Sequence, residues 1–289
     1  MYPPKFDYYR ATSVDEALSL LQQHGDNAKL LAGGHSLIPL MKTRLAQPAV
    51  LIDIGRIDAL KGIQVDGDTL RIGPLTTHAD IAASEDVQGR AAALADAAGV
   101  VGDVQVRNRG TIGGNLAHAD PASDLPAAVL ALGGEIEVRG PNGSRTVAAD
   151  DFFQGLFTTA LGGDEIITAI RIPAGGGKRV SAYVKFPHPA SGYAVVGVAA
   201  VLELDGQTIT SARVAANGAF ECAKRLTGAE QALAGATASD EAIAAAAQRA
   251  AEGFNADDFM SDIFASSEYR AHLLGVYTRR ALQKALERA

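Results

Sequence analysis

Lys29-Leu30-Leu31-Ala32-Gly33-Gly34-His35-Ser36 and, further along, Arg109-Gly110-Thr111-Ile112-Gly113-Gly114-Asn115 are the two stretches that decide how this chain reads. Each places two glycines directly before a small polar side chain, beside an apolar run. A Gly-Gly step has no Cβ bulk and reaches positive φ, so the backbone can approach a ligand closely. Successive N–H groups in such a turn can point into one concavity and hold an anion. The Ser36 and Thr111 hydroxyls and the Asn115 amide add hydrogen-bonding groups suited to phosphate. One glycine pair is weak evidence, because most are plain tight turns. Two in one chain point to a ligand with two phosphates gripped from both sides, as in the pyrophosphate of a dinucleotide cofactor. Neither stretch matches G-x-G-x-x-G, which disfavours a Rossmann site for NAD, and G-x-x-x-x-G-K-[ST] does not occur.

Composition narrows the partners. The chain has 289 residues, 47% of them hydrophobic, enough for one large domain or two. A net charge of −7 argues against nucleic acid or an anionic membrane as the main partner. No apolar run approaches the roughly 18 residues of a membrane span. Met1-Tyr2-Pro3-Pro4-Lys5 has no signal-peptide pattern, so the expected location is the cytoplasm. Cys222 is the single cysteine, which rules out an internal disulfide and a cysteine-ligated iron–sulfur cluster or zinc site within this chain. It reads as a small buried residue, with no neighbouring histidine in sequence to activate it. Metal redox chemistry would have to come from another polypeptide.

Around the glycine pairs, local patterns set the elements. Ser13-Val14-Asp15-Glu16 reads as a capping box opening a helix with a Val14, Ala17, Leu18, Leu21 stripe that ends at Gly25. Ala28–Ala32 and Val50–Ile54 read as buried strands flanking a helix from Leu37 to Arg44, with Pro39 tolerated in its first turn. That predicts a β-α-β unit with the first glycine pair at a strand's carboxyl end. Asp66-Gly67-Asp68 and Pro141-Asn142-Gly143 sit between alternating segments and predict hairpins. Thr77–Ala98 is alanine-rich and helical in character, and Glu165–Ile172 alternates as a strand that stops at Pro173. Ala174-Gly175-Gly176-Gly177-Lys178 looks like an inter-domain joint. Beyond it, strands over 182–186, 193–204 and 208–215 precede helices near Glu241–Glu252 and Tyr269–Arg288, an α+β pattern.

The ordered run of Ala32–Ser36, Leu37-Ile38-Pro39-Leu40-Met41-Lys42, Gln105–Ala117, Pro121-Ala122-Ser123-Asp124, Glu165-Ile166-Ile167 and Lys185-Phe186 resembles the FAD-binding medium subunit of molybdenum hydroxylases. That family includes the flavoprotein subunits of carbon monoxide dehydrogenase and xanthine dehydrogenase-type enzymes, and the resemblance covers essentially the whole chain. It implies an α+β fold: a PCMH-type FAD-binding domain of two α/β subdomains over residues 1–176, then a smaller α+β flavoprotein C-terminal domain over 177–289. Carried over position by position, Ala32, Gly33, Gly34, His35 and Ser36, with Thr111, Ile112, Gly113, Gly114 and Asn115, would hold the FAD pyrophosphate. Asp124 would accept hydrogen bonds from the cofactor or brace its loop. Ile167 would pack on the ring system, Lys185 would sit near its polar edge, and Tyr193 would cover the isoalloxazine face.

Each of these residues also has an ordinary reading. Asp124 could cap the helix that Leu125-Pro126-Ala127 begins. Ile167 suits a strand core, Lys185 a solvated strand position, and Tyr193 a core between domains. His118 and Asp120 could suggest a metal or acid/base pair, but two ligands without further partners read better as a loop brace. Arg107 and Arg109 could neutralise phosphate or meet a partner. His24 and His78 belong to no constellation and read as surface. His35 poses a sharper question, since some flavin oxidases of the wider fold attach FAD covalently through a histidine in a Gly-Gly-His-Ser loop. The whole-chain resemblance favours non-covalent FAD.

The implied function is an FAD-carrying electron-transfer subunit. A large subunit with the molybdenum cofactor would oxidise the substrate, and a small subunit with [2Fe–2S] clusters would relay electrons to FAD, in a dimer of heterotrimers. The flavin would pass them to an external acceptor. The rival from another class is a stand-alone flavin oxidase or reductase, using His118 or Tyr193 as an acid/base group. A third, an assembly subunit without FAD, is disfavoured by the intact glycine pairs. The run from Lys185 to Tyr193 lacks the Arg/Lys-rich form associated with carbon monoxide dehydrogenase subunits, so the substrate stays open.

Overall fold

A small parallel sheet opens the chain in the computed structural model, which describes residues 2–175 and 177–289. Strands β1 (Asp7–Arg10), β2 (Ala28–Leu31) and β3 (Val50–Asp53) pair in the order β1-β3-β2, all parallel. Helix α1 (Val14–His24) links β1 to β2, and α2 (Leu37–Lys42) links β2 to β3. The expected β-α-β unit is therefore present, with Gly33-Gly34 just past the carboxyl end of β2. Only half of the expected capping box forms at α1. Ser13 accepts from the Glu16 amide, but the Glu16 carboxylate takes the amide and hydroxyl of Thr12. Ala17, Leu18 and Leu21 of α1 are buried with Val50 and Ile52 of the sheet. Helix α2 stops before Arg44, which turns to φ 64.

The middle of the chain forms an antiparallel sheet with helices packed on it. Both predicted hairpins form: β4 (Ile63–Asp66) with β5 (Thr69–Ile72), and β6 (Glu135–Gly140) with β7 (Gly143–Ala148). Between the hairpins run α3 (His78–Ala83), α4 (Glu85–Arg90), α5 (Ala92–Gly99), α6 (Val104–Arg107), α7 (Ile112–His118) and α8 (Asp124–Ala131). The Thr77–Ala98 stretch is helical as expected, divided into three short helices. Ser84 accepts from the Val87 amide, capping α4 and ending α3. After β7 come α9 (Ala149–Phe152), the short pair β8 (Phe153–Gly155) and β9 (Thr158–Thr159), and β10 (Ile166–Pro173). Strand β10 inserts between the hairpins to give the order β4-β5-β10-β6-β7. The largest core lies between this sheet and α5 and α8, and Phe152 is wholly buried in it.

A second antiparallel sheet completes the chain: β11 (Lys178–Pro187), β12 (Ala194–Asp205), β13 (Thr208–Asn217) and β14 (Lys224–Arg225), in that order. Strand β12 is buried almost continuously because both its faces are covered. One face meets α5 and α8, and the other packs on α12 (Ser267–Leu286), which follows α10 (Thr227–Leu233) and α11 (Asp240–Gln248). Helices α11 and α12 match the two expected ones, whereas α10 has no counterpart in the sequence reading. Of the predicted joint at 174–178, Gly176 lies outside the described residues. Cys222 is buried, as expected, with Sγ 3.7 Å from the Phe153 carbonyl.

Polar clamps lock the second sheet onto the helices. Asp96 of α5 accepts from the Tyr183 amide (3.1 Å), Lys284 (3.0 Å) and Arg288 (2.8 Å). Arg213 binds the Leu130 and Ala131 carbonyls and Asp150. Arg270 of α12 is buried and donates to the Val195 and Gly218 carbonyls, both at 2.6 Å, and to Asp262 at 2.5 Å. Truncation of Arg270 would leave these acceptors desolvated and unpaired. Arg270→Ala is expected to lower unfolding free energy by on the order of 3 kcal/mol, read as an earlier urea midpoint.

Candidate functional site: a cleft between two glycine pairs

A cleft of about 1090 Å³ runs from the carboxyl end of the parallel sheet, past α7, to β10 and the loop before β12. Most of the predicted cofactor residues border it: the whole of Ala32–Ser36, then Thr111, Gly113, Gly114 and Asn115, and finally Asp124, Ile167 and Tyr193. Ile112 and Lys185 do not border it. Ile112 is fully buried in the main core, and Lys185 reaches the site only through Asp124.

The two glycine pairs present different chemistry. At the first, Gly34 has φ 75, a left-handed conformation that favours glycine. Among the described residues, the amides of Gly33, Gly34, His35 and Ser36 donate to no protein acceptor. They lead into α2, whose N-cap Ser36 makes no side-chain cap. The His35 ring lies with Nδ1 3.0 Å from the Gly33 carbonyl. The second pair is the first turn of α7, not a loop. Its amides already donate within the protein: Ile112 to the Thr76 carbonyl (3.1 Å), Gly113 to the Pro74 carbonyl (2.8 Å), Gly114 to Thr111 Oγ1 (3.3 Å) and Asn115 to the Thr111 carbonyl (3.0 Å). The expectation of two matched amide cradles therefore gives way to an asymmetric one. Free amides line one wall, and the Gly114 surface with the Asn115 amide lines the other.

The glycines also hold the scaffold together. A Cβ on Gly33 would overlap the Arg109 carbonyl, and one on Gly113 would overlap Pro74. At Gly114 a Cβ would meet Thr111 Oγ1 at 3.0 Å and otherwise make an ordinary contact with the Ala32 Cβ at 3.9 Å.

Asp124 is the first residue of α8, and its carboxylate does not cap that helix. It turns into the protein, accepting from Lys185 Nζ at 3.0 Å and from the Tyr183 hydroxyl at 2.6 Å. Burial pushes it up to about 6, against the opposing pull of Lys185 and Tyr183. Lys185 is not a solvated strand position: its side chain is buried, and Nζ also donates to the Val100 carbonyl at 2.8 Å. Ser123 donates to Asn115 Oδ1 at 2.8 Å, tying α7 to α8. Ile167 is buried in the wall of the cleft, and Tyr193 is half-exposed at its mouth. Burial raises the Tyr193 phenol, with Asp120 and Asp124 adding to it.

The remaining polar candidates divide. Asp120 accepts from the Ala122 amide at 2.9 Å, which is the loop brace expected of it, and His118 stacks on Phe157 with centroids 5.1 Å apart. No cluster of metal-ligating side chains is found among the described residues. Arg107 donates to the Val101 and Gly102 carbonyls, and Arg109 is exposed. His24 is half-buried, with its ring 5.1 Å from that of Tyr9. His78, read as surface, is buried behind the second pair, where a Cβ on Gly110 would touch its ring. Burial, with His35 and Arg107 nearby, lowers His78 to about 4. No sequence signal marked this position, since its surroundings come from three separate segments.

Two outcomes follow from these environments. Gly113→Ala is expected to cost about 1–3 kcal/mol of stability by forcing Pro74 aside, whereas Gly114→Ala leaves the urea midpoint unchanged or higher. A buried neutral histidine loses stability on acidification, because the unfolded chain takes up the proton first. From about pH 6.5 down to about 4, His78 should therefore withdraw up to about 3 kcal/mol. In His78→Gln that part of the pH slope disappears from denaturation curves. Asp124, raised above its unfolded value, contributes an opposite slope between about pH 4 and 6.

Comparison with known proteins places this geometry. The family described as FAD binding domain in molybdopterin dehydrogenase matches residues 4–175, and the CO dehydrogenase flavoprotein C-terminal domain matches 181–285. The carbon monoxide dehydrogenase medium chain of Hydrogenophaga pseudoflava is 43% identical, covering 100% of this chain and 99% of the relative. The 6-hydroxypseudooxynicotine dehydrogenase complex subunit alpha of Paenarthrobacter nicotinovorans is 37% identical, over 100% of this chain and 97% of the relative. Among solved structures, a carbon monoxide dehydrogenase from Hydrogenophaga pseudoflava superposes with a TM-score of 0.95 at 42% identity, covering 100% of both chains. With an FAD-binding domain matched over more than half its length and such relatives along the whole of it, the chain belongs to the FAD-binding medium subunits of molybdenum-containing dehydrogenases, the carbon monoxide and xanthine dehydrogenase family.

Proposed function

We propose that this chain is the electron-transfer station of a molybdenum hydroxylase complex, holding a dissociable FAD in the cleft between the glycine pairs. The observation that carries this reading is the row of uncommitted amides from Gly33 to Ser36 facing Gly114 and Asn115. The residues fit the group. Amides at the end of a strand and the start of a helix suit a diphosphate, and Gly114 leaves room for it. Bound FAD would supply the ability to take up electrons one at a time and release them singly or as a pair.

The chain's own residues bind and shield. Ala32–Ser36 and Thr111–Asn115 grip the diphosphate, with Ile112 acting from the core by fixing the first turn of α7. Ile167 gives an apolar wall for the ring system, and Tyr193 covers it at the mouth. Asp124 and Lys185 set the charge beside it. His35 contributes without a covalent bond to the cofactor. In the proposed complex the [2Fe–2S] groups belong to a small partner subunit and the molybdenum cofactor to a large one, as the family resemblance implies, and the single cysteine of this chain could not hold a cluster. The proposed assembly is a dimer of heterotrimers in the cytoplasm, with this chain divided at 176/177 into an FAD-binding and a C-terminal domain. No helix among the described residues is long and apolar enough to cross a membrane.

Purification under mild conditions should recover flavin together with two further polypeptides carrying molybdenum and iron. Acid precipitation should release the flavin into the supernatant. Colour retained by the precipitated chain would overturn the non-covalent assignment. A monomer that turns over an organic substrate unaided would overturn the electron-transfer role. Gly114→Val should cut flavin occupancy at least tenfold while leaving partner binding in place.

A further inference from the structure

The cleft wall at Asp124 continues into a buried polar chain that the flavin reading does not account for. Tyr183 of β11 is buried, with its hydroxyl 2.6 Å from Asp124 Oδ1 and 3.1 Å from Asn217 Oδ1, at the end of β13. A phenol has one proton, and the shorter contact to a carboxylate claims it. The phenol oxygen is then left to accept, and a half-turn of the Asn217 amide, exchanging Oδ1 and Nδ2, would bring its NH2 to it. That orientation also gives a partner to Asn217 Nδ2, otherwise buried without one. Space for the pair exists because residue 197 of β12 is glycine: a Cβ there would overlap both the Tyr183 hydroxyl and Asn217. The Tyr183 backbone is fixed as well, its amide to Asp96 and its carbonyl to Lys284.

We propose that Tyr183, backed by Asn217, is a positioning residue that fixes the Asp124 carboxylate at the cleft wall and stabilises its charged form, thereby setting how the potential of the bound flavin responds to pH. The proposal rests on the reading of the cleft as an FAD site. A proton on Asp124 leaves Lys185 uncompensated and favours added negative charge in the cleft. By reciprocity, added negative charge there favours the proton on Asp124. The groups acting on Asp124 are Lys185 and Tyr183 from β11 and the Tyr193 phenol, itself facing Asp120. Charges on the other packed elements are engaged elsewhere. Asp96 of α5 is bound to Lys284 and Arg288, Arg213 of β13 to Asp150, and His118 of α7 lies against Phe157. Burial of the carboxylate accords with titration near neutrality, at about 6.

The test is a redox titration of the flavin in the purified complex at a series of pH values, with FAD occupancy measured alongside. The wild-type potential should show a break in its pH dependence that Asp124→Asn abolishes. Tyr183→Phe should retain FAD and move the break upward by about one to two pH units, the worth of one hydrogen bond to a charged acceptor. If Tyr183→Phe does not fold, Asn217→Ala should give a smaller shift in the same direction. A break unmoved in the folded variant, or one surviving Asp124→Asn, overturns the proposal. So does a folded Tyr183→Phe protein that has lost FAD, since Tyr183 would then be holding the cofactor. Absence of FAD from the wild-type complex defeats the FAD reading itself, a separate result.

Discussion

The close approach of two backbones supports everything else in this site. Gly33 lies so near the Arg109–Gly110 peptide that no side chain fits between them, and Gly113 lies equally near Pro74. The first contact presses the end of β2 against the turn that leads into α7, and the second seats α7 on the segment that follows β5. The same contacts decide how the amides are used. Packing onto Pro74 and Thr76 consumes the donors of the second pair, while those of the first stay free. A cleft with one donor-rich wall is therefore a consequence of how the scaffold is packed.

Charge in the cleft is handled differently at its two ends. At the first glycine pair, uncommitted amides supply positive potential without a buried cation. Near β10 and Tyr193 the wall contains a true ion pair, Lys185 with Asp124. Burying such a pair is costly unless its remaining hydrogen-bonding capacity is met. The Val100 carbonyl meets it at Lys185 and the Tyr183 hydroxyl at Asp124, with Asn217 behind Tyr183.

Legibility in the sequence followed the distance over which each signal acts. The Asp66-Gly67-Asp68 and Pro141-Asn142-Gly143 hairpins and the β-α-β unit around Gly33 rest on turn chemistry and apolar patterning within a few residues, and all three form. The helical character of Thr77–Ala98 is equally local, and Ser84, which caps α4, divides the stretch without ending its helicity. Strand β1 was missed: four half-exposed residues have no periodic signature, and only pairing with β3 makes them a strand. His78 and Lys185 were read as surface on their own merits, since burial of a polar side chain depends on what packs over it from afar.

By itself the sequence determined the class of protein. Its glycine pairs point to a diphosphate ligand and its single cysteine excludes a cysteine-ligated cluster within the chain, while the ordered run of motifs carries the resemblance that implies FAD; all of these features are local or compositional. Tertiary structure alone decided which amides stay free, which carboxylate is buried, and which tyrosine and asparagine stand behind it. Those outcomes depend on contacts between residues far apart in the chain, and such contacts exist only once β2, α7, α8, β11 and β13 have been brought together by packing.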